Sequence, residues 1–345
     1  MPAYKAKFLS KAINSILKQE YNNFELIIVN DASPENLDEI MKDFQDERIQ
    51  YTENSQNIGG NDLVKNWNSC VSLAQNDYII LATDDDIFEK DFLSNAVQLI
   101  DKYPEVDLIR SGVKKIDNHD IIIDFEFPLK ELMTAKEFLL YYAKGGTISC
   151  VSNFIIKKTS LKSHGGFISF PRAHYSDDAT ALALSKNGVA CMQTNSFRFR
   201  VSDINLSNRN DFAIVKEQLL ATELYMGWYL NHIKEIGITT GSFIERICYG
   251  GFKARYIAMI ENLTSKIPFT KIHIAISFIL HNKYMFRKEK IKFLIHFTQN
   301  RKYYSAKTAA INNISTGKKA EGQPKQRIQP AKLAGRIALR RSVYV

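Results

Sequence analysis

The stretch Asp77-Tyr-Ile-Ile-Leu-Ala-Thr-Asp84-Asp85-Asp86-Ile87 runs from an apolar segment directly into three carboxylates. Upstream of it stands a similar pattern, Phe24-Glu-Leu-Ile-Ile-Val-Asn30-Asp31. Short apolar runs of this kind are typical of parallel strands that are buried on both faces. In α/β proteins, ligands bind beyond the carboxyl ends of such strands. Both acidic ends are therefore candidate binding positions in an α/β fold.

The acid triplet has two explanations on sequence grounds. Adjacent carboxylates repel one another unless a cation lies among them, and a divalent ion that shares carboxylates with substrate phosphates fits this pattern. Alternate residues of an extended segment share a face, so Asp84 and Asp86 are one candidate ligand pair. A solvated acidic turn that opens the next helix is the structural explanation.

Further features follow one another along the chain, and together they resemble the nucleotide-binding half of family-2 glycosyltransferases. The resemblance extends from Pro2 to about Ser207. The segments that carry it are Pro2-Ala3-Tyr4, Phe24 to Ser33, Asn57-Ile-Gly59-Gly60, Lys65-Asn66-Trp67-Asn68, Thr83 to Asp86, Gly165-Gly166-Phe167 and Ser176-Asp177-Asp178.

The resemblance implies an α/β fold: a Rossmann-like nucleotide-sugar-binding domain with a mostly parallel central sheet. We expect this catalytic domain at residues 1–210 and a helical, basic region at 211–314, followed by a flexible basic tail at 315–345. The helical region is predicted to contain helices at about 211–235, 241–262 and 268–300. The period-2 pattern of Ile272, Ile274 and Ile276 leaves a strand as the alternative for that part.

The resemblance also assigns roles to residues. Asp31 matches the residue that accepts a hydrogen bond from the nucleotide base. Alignment on Ile87 places Thr83 at the first acid of the family's Asp-Ser-Asp-Asp motif, which makes Asp85 and Asp86 the metal pair instead of Asp84 and Asp86. The predicted ligands of Mn²⁺ or Mg²⁺ are therefore Asp84, Asp85 and Asp86. The predicted nucleotide-sugar-binding residues are Pro2, Ala3, Tyr4, Asp31, Asn57, Lys65, Asp84 and Asp85.

Asp177 matches the catalytic base of the family, and a one-residue shift in the alignment makes Asp178 the alternative. A carboxylate at this position takes the proton of the acceptor hydroxyl as that hydroxyl attacks the sugar. The resemblance implies no covalent intermediate and hence inversion at the sugar carbon.

The chain departs from the family pattern at two places. Ser202 stands where relatives often carry a histidine that serves as a further metal ligand. The chain also begins at Met1-Pro2, whereas the family normally has an apolar strand before its Pro-x-Tyr segment. We expect the lack of that strand to leave the backbone of its neighbours open.

Composition and charge narrow the class of protein. The net charge of +9 is unevenly distributed, with a net of −7 over residues 1–211 and +16 over residues 212–345. The four cysteines are widely spaced, which predicts reduced thiols and no zinc site. The sequence contains no long uncharged apolar stretch, so it predicts no membrane span. We expect a cytoplasmic protein whose basic part makes peripheral contact with an anionic membrane at its inner face. The acidic first part argues against nucleic acid as a partner.

The leading hypothesis is a metal-dependent, hexosyltransferase-like enzyme of surface polysaccharide synthesis in the cell envelope. It would transfer a sugar from a nucleotide-diphosphate donor, a UDP-sugar by preference, to a hydroxyl of a saccharide or lipid-linked acceptor. The alternative is a catalytically inactive binding protein with the same fold.

Overall fold

The chain folds into two compact units, Met1–Tyr256 and Ile257–Val345. The computed structural model describes residues 1–202, 211–239, 241–295 and 297. The predicted tail at 315–345 lies outside these residues, as do residues 203–210 at the end of the predicted catalytic domain. The proposed domain boundaries stay predictions.

Strands and helices alternate through the first unit. The strands are β1 (Pro2–Ala3), β2 (Leu26–Asn30), β3 (Ile49–Glu53), β4 (Tyr78–Ile79), β5 (Ile87–Phe88), β6 (Leu108–Arg110), β7 (Val113–Ile116), β8 (Ile122–Phe125), β9 (Leu132–Met133), β10 (Phe154–Lys157), β11 (Val189–Cys191) and β12 (Phe197–Arg200). The helices of the described residues are α1 (Leu9–Leu17), α2 (Leu37–Met41), α3 (Leu63–Leu73), α4 (Phe92–Lys102), α5 (Ala135–Ala143), α6 (Lys158–Ser163), α7 (Ser176–Leu184), α8 (Phe212–Glu235), α9 (Phe243–Ser265) and α10 (Ile272–His281).

The strands form three sheets. The first has the order β1-β2-β3 and is parallel throughout. The second, β4-β10-β6-β11-β9, is mixed, with β6 and β11 parallel and its other neighbours antiparallel. The third, β5-β12-β7-β8, pairs β12 with β7 in parallel. The α/β fold with a helical C-terminal region is confirmed, and its wholly parallel part is the first sheet.

Burial explains why the first helices lie where they do. Helix α1 places Leu9, Ala12, Ile13 and Ile16 on one buried face, the spacing of an amphipathic helix. These side chains join a core that also contains Ile28 of β2. This packing fixes the segment between β1 and α1 over the carboxyl end of β2.

A gap separates the first two sheets. Strand β2 pairs with β3 over five residues but with β1 over only two, and β4 is an edge strand of the second sheet. A largely apolar cavity of about 420 Å³ is lined by residues of β2 and β4 and by Val71 of α3. The Met1 amino group is buried and donates to Ile27 O at 2.6 Å, and burial lowers its pKa. The cavity lies where two strand edges lack a common neighbour.

Two elements differ from the sequence expectation. The strand that leads to the acid triplet is paired only at Tyr78–Ile79, because none of the described strands pairs with β4 on the side of the cavity. The helix predicted at 268–300 is interrupted: a 3₁₀ turn at Phe269–Lys271 precedes α10, and residues 282–286 are non-helical before helical residues 287–295. The period-2 segment is helical, as predicted.

Candidate active site

Asp31 organises the loop that follows β3. Its Oδ1 accepts hydrogen bonds from Asn54 Nδ2 at 2.8 Å and from the Ile58 N–H at 2.9 Å, and its Oδ2 accepts from the Gly59 N–H at 2.8 Å. A Cβ at Gly59 would lie 2.9 Å from that carboxylate, which explains the glycine. A carboxylate has about four acceptor positions. Asp31 therefore has room for one further donor, such as a base N–H.

The Pro2-Ala3-Tyr4 segment joins both acidic strand ends. The Asp31 N–H donates to Ala3 O at 2.9 Å, and Ser33 Oγ donates to Tyr4 O at 2.6 Å. On the other side, Asp84 Oδ2 accepts from the N–H groups of Tyr4 and Lys5 at 2.9 and 2.8 Å. The structure thus brings Asp31 and Asp84 to the same short segment.

Asp86 is held in place by its own set of donors. Thr83 Oγ1 donates to Asp86 Oδ2 at 2.5 Å, and the Arg200 N–H donates to Oδ1 at 2.9 Å. The carboxyl is almost fully buried. Burial and the neighbouring charge of Asp85 raise its pKa to about 7. Asp86 therefore ties the triplet to the end of β12.

Lys5 supplies the positive charge at the triplet. Its ammonium lies 3.2 Å from Asp85 Oδ2 and 3.7 Å from Asp84 Oδ1. All three side chains are mostly buried, with 22% of Lys5, 12% of Asp85 and 8% of Asp84 exposed. Oxygens of two carboxylates thus converge on a single cation.

Asp177 and Asp178 begin α7 after an unusual stretch of backbone. Arg172, Ala173 and Tyr175 all have positive φ, between 55° and 70°. This chain path places both carboxylates in the first turn of the helix, and the Asp178 N–H donates to Asp177 Oδ1 at 3.0 Å. Burial and the charge of Asp178 raise the pKa of Asp177 to about 7.

Arg255 of α9 acts on the same pair of carboxylates. Its guanidinium lies 4.7 Å from the ring centre of Tyr142 and donates to Tyr142 O. Burial raises the pKa of Asp178, while the charge of Arg255 and hydrogen bonds from Tyr142 and Ser149 act in the opposite direction. Arg255 therefore offsets the charge of one of the two carboxylates.

Aromatic rings from α8 cover the loop before α7. The ring of Tyr175 stacks on Tyr225 at 4.4 Å, and Tyr225 stacks on Trp228 at 5.7 Å. The Tyr225 hydroxyl donates to the Tyr142 hydroxyl at 2.9 Å. Helix α8 thereby holds the segment that positions Asp177.

The charges of Asp86 and Asp177 both act on the Cys150 thiol. Burial raises the pKa of this thiol, and the charges of Asp86 and Asp177 raise it further, so both carboxylates lie within electrostatic reach of it. Ser152, two residues on, lies 3.2 Å from Thr83 through the hydroxyl oxygens. Hydrogen bonds thus connect Asp31 with the acid triplet, and the charge of Asp177 acts on the same thiol as that of Asp86.

Comparison with known proteins decides the family. The sequence model of glycosyl transferase family 2 matches residues 1–165. This segment belongs to glycosyl transferase family 2. The segment carries the donor-side residues of the site, whereas Asp177 and Asp178 lie beyond the match.

Several similar proteins carry glycosyltransferase names. An Escherichia coli protein, UDP-Glc:alpha-D-GlcNAc-diphosphoundecaprenol beta-1,3-glucosyltransferase WfgD, is 26% identical over 70% of this chain and 94% of its own length. The putative teichuronic acid biosynthesis glycosyltransferase TuaG of Bacillus subtilis is 26% identical over 56% of this chain and 73% of its own. Glycosyltransferase GlyG of Streptococcus pneumoniae is 31% identical, and that match covers 35% of this chain and 40% of the relative's length.

A solved structure supports the fold of the glycosyltransferase. Staphylococcus aureus TarS, residues 1–349, crystallised in complex with UDP-GlcNAc, superposes with a TM-score of 0.53 at 17% identity. The superposition covers 88% of this chain and 90% of that one. The likeness extends beyond the family-2 segment into the helical region.

The donor set of the acid triplet fits a divalent ion held by few protein ligands. In residues 1–202, 211–239, 241–295 and 297, no three His, Cys, Asp or Glu side chains converge as a metal site. Asp84 Oδ1 and Asp85 Oδ2 do converge on one positive charge, the Lys5 ammonium. Mg²⁺-type ions bind through one or two carboxylates plus substrate phosphates. Asp84 and Asp85 therefore suit such an ion, with Asp86 as their support.

The remaining residues that the sequence singled out are Asn57, Lys65 and Ser202. Asn57 Oδ1 accepts from the Gly60 N–H at 2.5 Å and shapes the loop bound to Asp31. Lys65 is exposed on α3, and the described residues show no ion pair between its ammonium and the triplet. Ser202 is buried.

Sequence reasoning missed Lys5, Tyr142 and Arg255. Lys5 directly follows the Pro2-Ala3-Tyr4 segment, and that adjacency was the available signal. The sequence held no signal for Arg255 or Tyr142, because only the fold brings them to Asp178.

Proposed function

We propose that this protein transfers a sugar from a UDP-sugar to a hydroxyl of a saccharide or lipid-linked acceptor, with inversion, in surface polysaccharide synthesis. The observation that carries the proposal is the Ala3–Lys5 segment, whose backbone hydrogen-bonds to Asp31 on one side and to Asp84 on the other. The similar protein WfgD is named for a UDP-Glc donor and a diphosphoundecaprenol-linked acceptor, which supports this donor and acceptor class.

Each group has a role in this reaction. Asp31 has a free acceptor position for a base N–H, and the Tyr4–Lys5 segment links the base side to the diphosphate side. Asp84 and Asp85 would hold Mn²⁺ or Mg²⁺, which supplies positive charge against the diphosphate leaving group. Asp177 takes the proton of the acceptor hydroxyl, and a pKa of about 7 suits a general base at neutral pH.

We also propose that the enzyme meets its acceptor at an anionic membrane surface. Among the described residues, no single helix is long and apolar enough to cross a membrane, although one sharply bent helix pair has the required length and composition. Residues 212–345 carry a net charge of +16. Basic residues near an anionic leaflet contribute about 1 kcal/mol each.

The test is UDP release from a panel of UDP-sugars, with and without Mn²⁺, in the presence of lipid-linked or saccharide acceptors. We expect release with at least one donor in the wild-type protein and strongly reduced release in Asp177→Asn. The alternative of a non-catalytic binding protein is favoured by the apolar cavity beside Leu26 and Ile27 of β2. It predicts UDP binding without release from any donor.

A further inference from the structure

The acid triplet already contains a cation that belongs to the chain. The Lys5 ammonium lies within 3.2 Å of Asp85 and 3.7 Å of Asp84. The Lys5 backbone is fixed as well, because its N–H donates to Asp84 at 2.8 Å. The side chain therefore starts from an anchored position beside the carboxylates that it neutralises.

Two of the three triplet oxygens left for a metal ion face Lys5. Asp84 uses its Oδ2 for two backbone N–H groups, and Asp86 uses both oxygens for Thr83 and Arg200. Three oxygens of the triplet remain, and two of them, Asp84 Oδ1 and Asp85 Oδ2, lie near the ammonium. An ammonium and a divalent ion cannot both occupy the point between them.

We propose that Lys5 is a resident counter-cation that competes with the divalent ion for the space between Asp84 and Asp85. The inference rests on the proposed function, in which this space faces the donor diphosphate. It implies that a metal ion alone binds weakly, since it must displace a mostly buried ammonium. A nucleotide diphosphate offers that ammonium another anionic partner. Nucleotide and metal should therefore strengthen each other's binding, and such coupling is reciprocal.

The experiment measures Mn²⁺ binding to the full chain by calorimetry and by electron paramagnetic resonance, with and without UDP. The variants are Lys5→Gln, which removes the charge, and Lys5→Arg, which keeps it. Lys18→Gln is the matched control, because Lys18 is exposed at the far end of α1. Gln at position 5 retains the backbone N–H that binds Asp84, and thermal unfolding checks that each variant is folded.

We expect Lys5→Gln to bind Mn²⁺ alone about tenfold or more tightly than the wild type, since a charge at this distance shifts carboxylate equilibria by about one to three pKa units. The factor by which UDP strengthens Mn²⁺ binding should fall in the same variant. Lys5→Arg and Lys18→Gln should resemble the wild type.

Two results separate this inference from the proposed function. If UDP binds normally but Mn²⁺ affinity is unchanged or lower in folded Lys5→Gln, Lys5 does not compete with the metal, and the proposed function stands. If no variant binds UDP with or without Mn²⁺, the donor assignment itself is wrong and this inference fails with it.

Discussion

Asp177→Asn should raise the stability of the protein at alkaline pH while removing its activity. The folded protein raises the pKa of Asp177 from its usual 3.8 to about 7, through burial and the charge of Asp178. The folded state thus holds this proton more tightly than the unfolded chain. The stability that the group contributes is complete below pH 4 and is lost as the pH rises through 7. An asparagine at this position does not titrate, so its contribution to stability does not change with pH.

The size of the Asp177 pKa shift sets the size of the expected change in the free energy of unfolding. About three pKa units at 1.36 kcal/mol each give an upper limit of about 4 kcal/mol. The side chain is partly exposed, so we expect about 1–2 kcal/mol after solvent screening. For a unit of this size that is a rise in Tm of about 3–6 °C at pH 8. At pH 4, both proteins carry a neutral group at this position, and the Tm values should agree.

The assay is thermal unfolding of both proteins at pH 4 and pH 8, combined with UDP release at pH 8. Loss of a general base lowers kcat by about 10²–10⁴. Asp178→Asn is the comparison variant: the pKa of Asp178 is also raised, so a gain in Tm at pH 8 is expected there too, whereas its UDP release should fall far less than that of Asp177→Asn. An equal change in Tm at both pH values would refute the reasoning. If Asp178→Asn loses UDP release and Asp177→Asn keeps it, the family alignment is shifted by one residue.

Three further outcomes are expected. Asp86→Ala should abolish Mn²⁺-dependent UDP binding in calorimetry, and urea unfolding should show a loss of about 1–3 kcal/mol because the buried Arg200 N–H loses its acceptor. Asp86→Asn should keep most of that stability. Replacement of Lys283, Lys288 and Lys292 by Gln should weaken co-sedimentation with anionic vesicles at low salt and leave co-sedimentation with neutral vesicles unchanged. An equal loss of co-sedimentation with both vesicle types would exclude the electrostatic explanation. An extended Val/Ile-rich segment fused before Met1 should raise Tm by filling the 420 Å³ cavity, and a proline-interrupted segment should not.

The sequence predicted the elements of the first unit well, because their signals are local. The amphipathic spacing of α1 and the apolar run of β2 each identify an element without any partner. The paired length of β4 was not predictable in this way, since it depends on which strand lies beside it. The break after α10 was missed for a similar reason. Apolar and basic residues continue with a helical period through 282–286, although the backbone there is not helical.

The site shows the same division between local and long-range information. The sequence placed Asp84, Asp85 and Asp86 together, yet it left two alternative ligand pairs. The hydrogen bonds distinguish the three residues. Asp84 accepts from the backbone N–H groups of residues 4 and 5, and Asp86 accepts from that of residue 200, all of them far away in the chain. Asp85 has no such bond to a backbone N–H among the described residues and turns its carboxylate to Lys5. In this run of three identical residues, Asp86 uses both carboxylate oxygens to fix the strand end and Asp84 uses one. The other oxygen of Asp84 and the carboxylate of Asp85 are left to face a cation, and no property of the run itself reveals this division.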